Sequence, residues 1–245
     1  MKNLIIIPAY NEEQALPATL ASLQALPASF EIVVINDGSR DGTSNAARAA
    51  ARSSKLALHV IDMPVNGGIG VTVQTGYLFA AQRGGYKYAI QFDADGQHDS
   101  ACLEALVAEC EAQNLDLCIG SRFLEKPGEK SVDNFKSTFS RRVGIRFFSR
   151  LIGMLSGLRV TDPTSGFRCA GPRAWATFAA RYPEDYPEPE SLFWCARNGF
   201  RVGEIAVRMH ERQGGVSSIR HFKTIYYMVK VSLAIVIDRL RKREG

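Results

Sequence analysis

Five apolar runs of strand length alternate with helical stretches in the first half of the chain, and this alternation constrains the fold more than any other feature. The runs are NLIIIPA (3–9), FEIVVIN (30–36), LALHVID (56–62), KYAIQFD (87–93) and LDLCIGS (115–121). Between them, EEQALPATLASLQAL places Leu16, Leu20 and Leu23 at helical spacing. RDGTSNAARAAARS is an Ala-rich helix with Asp41 or Thr43 as its cap, and GIGVTVQTGYLFAAQRG reads as a helix despite its β-branched residues. SACLEALVAECEAQ puts Leu103, Leu106 and Val107 on one helical face. Strands that are apolar throughout and alternate with helices are buried on both faces of a parallel sheet. The expected fold class is therefore α/β, a doubly wound, mostly parallel sheet flanked by helices.

In such sheets ligands bind beyond the carboxyl ends of the strands. The strand ends here carry PAYNE, NDGSRDGT, MPVNGG and DADGQH. Asp93 and Asp95 flank Ala94 at the end of the fourth run. Two carboxylates at this spacing repel unless a cation lies between them, and with the oxygen of Gln97 they suit a hard ion, Mg²⁺ or Mn²⁺. Such an ion would neutralise a diphosphate leaving group, and His98 could serve Mn²⁺. Asp95 and Asp99 also suit turn and helix caps. Asp37 could accept hydrogen bonds from a ribose or a base edge, and the glycines of NGGIG (66–70), Gly67 among them, would let backbone N–H groups approach phosphates.

The second half is less regular. A helix is expected within 134–155, a short strand in TSGFRCAG, a helix in SLFWCARNG, a strand in FRVGEIAVRMH and a long C-terminal helix from His221. Residues 1–219 read as one domain and 220–245 as a C-terminal amphipathic helix. The five cysteines are odd in number and lack C-x-x-C spacing, which argues for buried thiols in a reducing compartment. The net charge of +5 is concentrated between Arg122 and Arg159 and beyond Arg220, a pattern that suits a polyanion. Residues 134–155 interleave arginines with phenylalanines, and YYMVKVSLAIVI ahead of DRLRKR is too short to span a bilayer. Both fit a peripheral position on an anionic leaflet, the inner face of the cell membrane on the cytoplasmic side. Alternatively they pack on the core or form a dimer interface, which leaves a homo-oligomer open.

Taken in order, IIIPAYNEE, VVINDGSRDGT, NGGIGVTVQTG, FDADGQH, GSRF and DPTSGFR resemble the family 2 glycosyltransferases of GT-A fold. The resemblance is to the branch of dolichyl-phosphate mannose synthase and the bacterial polyprenyl-phosphate glycosyltransferases, and it runs from residue 3 to about 219. It implies a nucleotide-sugar donor held by Pro8, Ala9, Tyr10, Glu12 and Asp37, with Asp93, Asp95 and Gln97 at the metal and diphosphate. It also implies that Arg122, Ser165 and Arg168 lie near the acceptor and its phosphate, and that Arg212 sits on a closing loop. Arg141 joins the arginines expected around the acceptor. The sequence departs from that branch at Ser218, where a lysine is usual, and YPEPE places Glu188 where other family 2 enzymes carry an acidic base. Glu190 falls on a glutamate usual in the lipid-phosphate branch. Both acids equally suit the first turn of a helix.

Two acceptor chemistries follow. A hydroxyl must lose a proton as it attacks and needs a carboxylate base, which would be Glu188. A phosphate is already an anion near pH 7 and needs arginines to position it. The first expectation is transfer to polyprenyl (undecaprenyl) phosphate; the second is transfer to a hydroxyl of a lipid-linked glycan. A nucleotidyltransferase would show a basic Gly-rich loop after the first strand, which PAYNEE lacks. A non-enzymatic basic binding protein would not need the acids Asp37, Asp93 and Asp95, so no nucleic-acid partner is expected.

Overall fold

A computed structural model describes residues 1–124, 139–210 and 221–240, without the side chains of 139–141 and 221–227. Its centre is a seven-stranded sheet of β1 (Lys2–Ala9), β2 (Phe30–Asn36), β3 (Leu58–Asp62), β4 (Tyr86–Gln91), β5 (Leu117–Ser121), β6 (Arg168–Ala170) and β7 (Val202–Ala206). The spatial order is β3-β2-β1-β4-β6-β5-β7, parallel except for β6, which runs antiparallel between β4 and β5. The helices are α1 (Leu16–Ser22), α2 (Thr43–Ser53), α3 (Gly68–Arg83), α4 (Cys102–Ala112), α5 (Phe139–Ser156), α6 (Pro172–Ala180), α7 (Pro187–Arg197) and α8 (His221–Leu240).

The apolar strands do what their composition requires. Leu4, Ile5, Ile6 and Ile7 of β1 are fully buried, which stabilises the fold by roughly 1.5–3 kcal/mol per side chain. Their alternation feeds two cores. Leu4 and Ile6 join the layer of α3, α6 and α7, while Ile5 and Ile7 join that of α1 and α4. Tyr77, Phe178 and Tyr182 tie α3 to α6, with ring centroids 5.2–5.5 Å apart.

The five expected strands of the first half form within two residues of their sequence bounds; the short strand within TSGFRCAG is Arg168–Ala170, and β7 is confined to Val202–Ala206. α6 was not among the expected helices; it begins at Pro172, two residues after the three-residue β6. The N-cap of α2 is Gly42, not Asp41 or Thr43; the Asp41 carboxylate instead accepts from the backbone N–H of Thr43 at 3.0 Å. All five cysteines are free, and four of them are buried.

Both surface helices are half-packed. α5 buries Ile145, Phe148 and Ile152, and α8 buries Val231 and Ile235. Their other faces are exposed. On α8 the exposed stripe is Val229, Leu233, Val236, Ile237 and Leu240; on α5 it is Val143, Arg146, Phe147, Arg150 and Met154. Gly144 of α5 meets Met228 of α8. Among the described residues no helix is long and apolar enough to cross a membrane.

Candidate active site

β1, β2, β4 and β5 end on one edge of the sheet. Because β6 is antiparallel, its first residue, Arg168, lies on that same edge, opposite Gln91. The loop 161–167 therefore meets the DADGQH segment there.

The loops after β1 and β2 are stitched together. Asn11, at φ +55°, donates its N–H to Ser39 Oγ (2.9 Å) and accepts from Arg40 N at Oδ1 (2.9 Å). Glu12 N donates to Thr43 Oγ1 at 2.9 Å, and Asp37 N to Ala9 O at 2.9 Å. Pro8 and Ala9 are buried at the end of β1, whereas Tyr10 is exposed. Asp37 is buried, and its carboxylate accepts from Gly67 N (2.7 Å), Gly68 N (3.0 Å) and Asn66 Nδ2 (3.0 Å). It thus anchors the glycine loop that opens α3. Gly38 is required beside it: φ is +63°, and a Cβ would lie 2.8 Å from Asn66 N.

Asp93 is half-exposed and Asp95 nearly buried; Asp95 Oδ1 accepts from Gln97 N at 3.1 Å. Gly166 faces Asp93 so closely that a Cβ there would lie 3.3 Å from Oδ2 and 2.8 Å from Gln91 Nε2. The missing side chain leaves a cradle over the carboxylate. His98 is committed inside the protein. Its Nδ1 accepts from Asp93 N (3.0 Å), its Nε2 is 3.4 Å from Asp93 Oδ2, and its ring stacks on Phe167 at 4.7 Å. Burial lowers its pKa and keeps it neutral. Among the described residues the groups that could serve a metal here are the Asp93 and Asp95 carboxylates and the Gln97 amide oxygen. Among the described residues no group of three or more acids, histidines and cysteines could cage an ion. Two carboxylates suit Mg²⁺ or Mn²⁺ that completes its shell with water and substrate phosphates, so the residues present fit the expected ion.

The residues expected at the acceptor have other partners. Arg122 forms a buried two-pronged pair with Asp162, Nε to Oδ2 at 2.6 Å and Nη2 to Oδ1 at 2.7 Å, and reaches Thr164 Oγ1 at 3.0 Å. Ser165 Oγ donates to Gly120 O at 2.7 Å. Arg168, fully buried, donates to Ser165 O (2.6 Å), Pro163 O (3.0 Å) and Ser191 Oγ (2.9 Å). In this conformation the three brace the 161–168 loop under Asp93. Glu204 of β7 holds the start of that loop, accepting from Thr161 N (2.7 Å) and Asp162 N (3.0 Å). Sequence reasoning assigned no role to Asp162, Gly166, Ser191 or Glu204. An acid within the apolar run of β7 was the available signal for the last. The Arg141 side chain, Arg212 and Ser218 lie outside the described residues. The chain leading toward Arg212 is tied to the DADGQH turn, since His210 N donates to Gln97 O at 2.8 Å.

Glu188 and Glu190 both stand on the first turn of α7 but part company, as residues two apart on a helix do. Burial raises the Glu188 pKa; Arg168 pulls it down, Asp93 pushes it up and Arg122 pulls it down. Glu190 faces Asp185, Lys230 and Asp238 near α8. Burial first, then Asp185, lifts its carboxyl to about 7. The unfolded chain releases this proton nearer 4.5, so the stability linked to Glu190 is present at low pH and is lost as pH rises from about 4.5 to about 7. Glu190→Gln is expected to flatten that limb in urea denaturation measured across the window. An unchanged slope would contradict the assignment.

Known proteins match this architecture. The profile of glycosyl transferase family 2 covers residues 4–173. A polyprenol monophosphomannose synthase of Mycolicibacterium smegmatis is 30% identical over 100% of this chain and 91% of its own. An undecaprenyl-phosphate mannosyltransferase of Micrococcus luteus is 32% identical over 89% of this chain and 88% of its own. Among solved structures, glucosyl-3-phosphoglycerate synthase from Mycobacterium tuberculosis with Mn²⁺, UDP and phosphoglyceric acid superposes with a TM-score of 0.67 at 17% identity, covering 100% of this chain and 80% of that one. The sheet order, the acids at the strand ends and these likenesses converge: the chain belongs to glycosyl transferase family 2 and has the GT-A fold.

Proposed function

We propose that the protein is a metal-dependent, inverting glycosyltransferase that moves a sugar from a nucleotide-diphosphate donor to polyprenyl phosphate at the cytoplasmic face of a membrane. One observation carries the acceptor class. α8 exposes a stripe of five apolar side chains, with the exposed Arg239 at its C-terminal end, beside the mixed apolar and arginine face of α5, and a water-soluble acceptor would need neither. The names of the two relatives agree with it.

The donor's base and ribose lie against the Pro8–Glu12 and Asp37 loops, with the Gly67 turn beside its phosphates. Asp93, Asp95 and Gln97 would hold Mg²⁺ or Mn²⁺, which would supply charge to stabilise the departing diphosphate. The acceptor phosphate oxygen attacks the anomeric carbon, the bond from that carbon to the diphosphate oxygen breaks, and the nucleoside diphosphate leaves. A phosphate oxygen carries no proton that must be removed in this step. The arginines of α5 and Arg212 are the candidates to meet the acceptor phosphate, because Arg122 and Arg168 support the site from beneath.

The second reading, transfer to a glycan hydroxyl, is favoured by Glu188 itself, a carboxyl on the first turn of α7 whose burial raises its pKa as suits a general base. Glu188→Gln separates the two. On the phosphate reading the variant keeps kcat on undecaprenyl phosphate within about tenfold, whereas loss of a general base costs about 10²–10⁴-fold. For the membrane face, Leu233→Glu with Val236→Glu is expected to abolish co-sedimentation with anionic vesicles while the protein stays folded. Undiminished sedimentation would remove α8 from the interface.

A further inference from the structure

Gln91 ends β4 and is 1% exposed. Its Nε2 donates to Asp93 Oδ1 at 3.4 Å, and its Oε1 is buried without a partner among the described residues. Turning the amide over would set its oxygen against the Asp93 carboxylate, so only this orientation bonds. A buried amide with one end unpaired costs stability. The fold alone gives no reason for glutamine here, because an apolar side chain of the same length would be at least as stable. The other oxygen of Asp93 also meets a donor. His98 is buried, and its Nδ1 accepts from Asp93 N at 3.0 Å. The neutral ring therefore carries its proton on Nε2, which lies 3.4 Å from Asp93 Oδ2. Gly166 keeps the arrangement open: a Cβ there would press on the Gln91 amide at 2.8 Å and on the Asp93 carboxylate at 3.3 Å.

We infer that Gln91 and His98 are positioning residues for Asp93, holding its two carboxylate oxygens from the protein side and leaving the remaining lone pairs for the metal. The inference rests on the metal-site reading above. Both approaches are long for hydrogen bonds, and both donors are uncharged. They orient the carboxylate without cancelling its charge, which a lysine or arginine in either place would do. Asp93 and Asp95 are the two charged groups proposed for the ion, so the charge preserved on Asp93 is half of what the protein would supply. Donors of this kind, one step removed from a metal, typically alter its affinity about 10–100-fold when they are lost.

Gln91→Met keeps the length and apolar stem of the side chain and removes both the donor and the unpaired acceptor. Mn²⁺ binding is read from the electron paramagnetic resonance signal of the free ion, with UDP or GDP present, against protein-free mixtures. The variant is expected to bind Mn²⁺ about tenfold more weakly than wild type, while its urea midpoint stays at or above the wild-type value. Unchanged binding overturns the inference. Weaker binding together with a lowered midpoint also overturns it, because Gln91 would then serve the fold and not the carboxylate. His98→Gln and His98→Asn both lose the ring, but only glutamine can present an N–H near the position of Nε2. Mn²⁺ binding is expected to be stronger in His98→Gln, and equal binding in the two would overturn the part assigned to His98. Wild type that takes up no Mn²⁺ would refute the metal site itself, a failure that the Gln91 comparison cannot imitate.

Discussion

Asp95→Ala is expected to lower kcat/KM for sugar transfer by about 10³-fold or more while leaving the fold intact. Asp95 lies just beyond β4 with Asp93, and among the described residues these two carboxylates and the Gln97 amide oxygen are the groups proposed to hold the metal. Removing one of two charged ligands takes away much of the charge stabilisation available to a leaving diphosphate, a contribution usually worth several kcal/mol of barrier. The structural loss is smaller: the hydrogen bond from Gln97 N to the carboxylate is worth about 1 kcal/mol. Steady-state rates with Mn²⁺, beside urea unfolding, separate the two effects. Activity within tenfold of wild type would show that the acids of DADGQH do not form the diphosphate site.

Asp162→Ala is expected to have the largest effect on stability. Asp162 has no exposed surface, and the Arg122 side chain paired with it is nearly as deeply buried. Its carboxylate takes the Arg122 side chain in two bonds, the Arg122 backbone N–H at 3.2 Å and Thr164 Oγ1 at 3.2 Å. Removing one partner of a buried pair leaves the other as an uncompensated charge, which costs about 3–5 kcal/mol. Asp162→Asn keeps acceptor capacity and should lose less. Asp162→Ala combined with Arg122→Met should recover part of the loss, because the stranded charge is gone. Chemical denaturation measures all three; a loss below about 1 kcal/mol for Asp162→Ala would mean that solvent reaches Arg122.

Much of this architecture was legible locally. An Ile-rich run such as β1 can be buried on both faces only in a sandwiched sheet, and the carboxyl-end rule then pointed to Asp37, Asp93 and Asp95. α6 was not legible because PRAWATFAA is short and begins at a proline two residues after β6, so its period has little room to show. The antiparallel setting of β6 is likewise invisible in three residues, although it is what brings Arg168 to the active edge. The hydrogen-bond partners of Arg122 and Arg168 were not legible for a related reason. Their partners Asp162 and Ser191 lie 40 and 23 residues away in sequence, and only the fold brings them together. An arginine near a site reads as a phosphate ligand until its counter-ion is seen. The pair Glu188 and Glu190 shows the converse: a spacing of two on a helix already implied opposite faces, and α7 separates them accordingly.

The chemical structure of the product decides between the two acceptors. Purified protein would be incubated with Mg²⁺ or Mn²⁺, a panel of nucleotide sugars, undecaprenyl phosphate and a lipid-linked saccharide, and the lipid product read by mass and by phosphorus resonance. The account predicts a sugar joined to undecaprenol through a phosphodiester. Sugar appearing only on a hydroxyl of the lipid-linked saccharide would contradict it and make Glu188 the base.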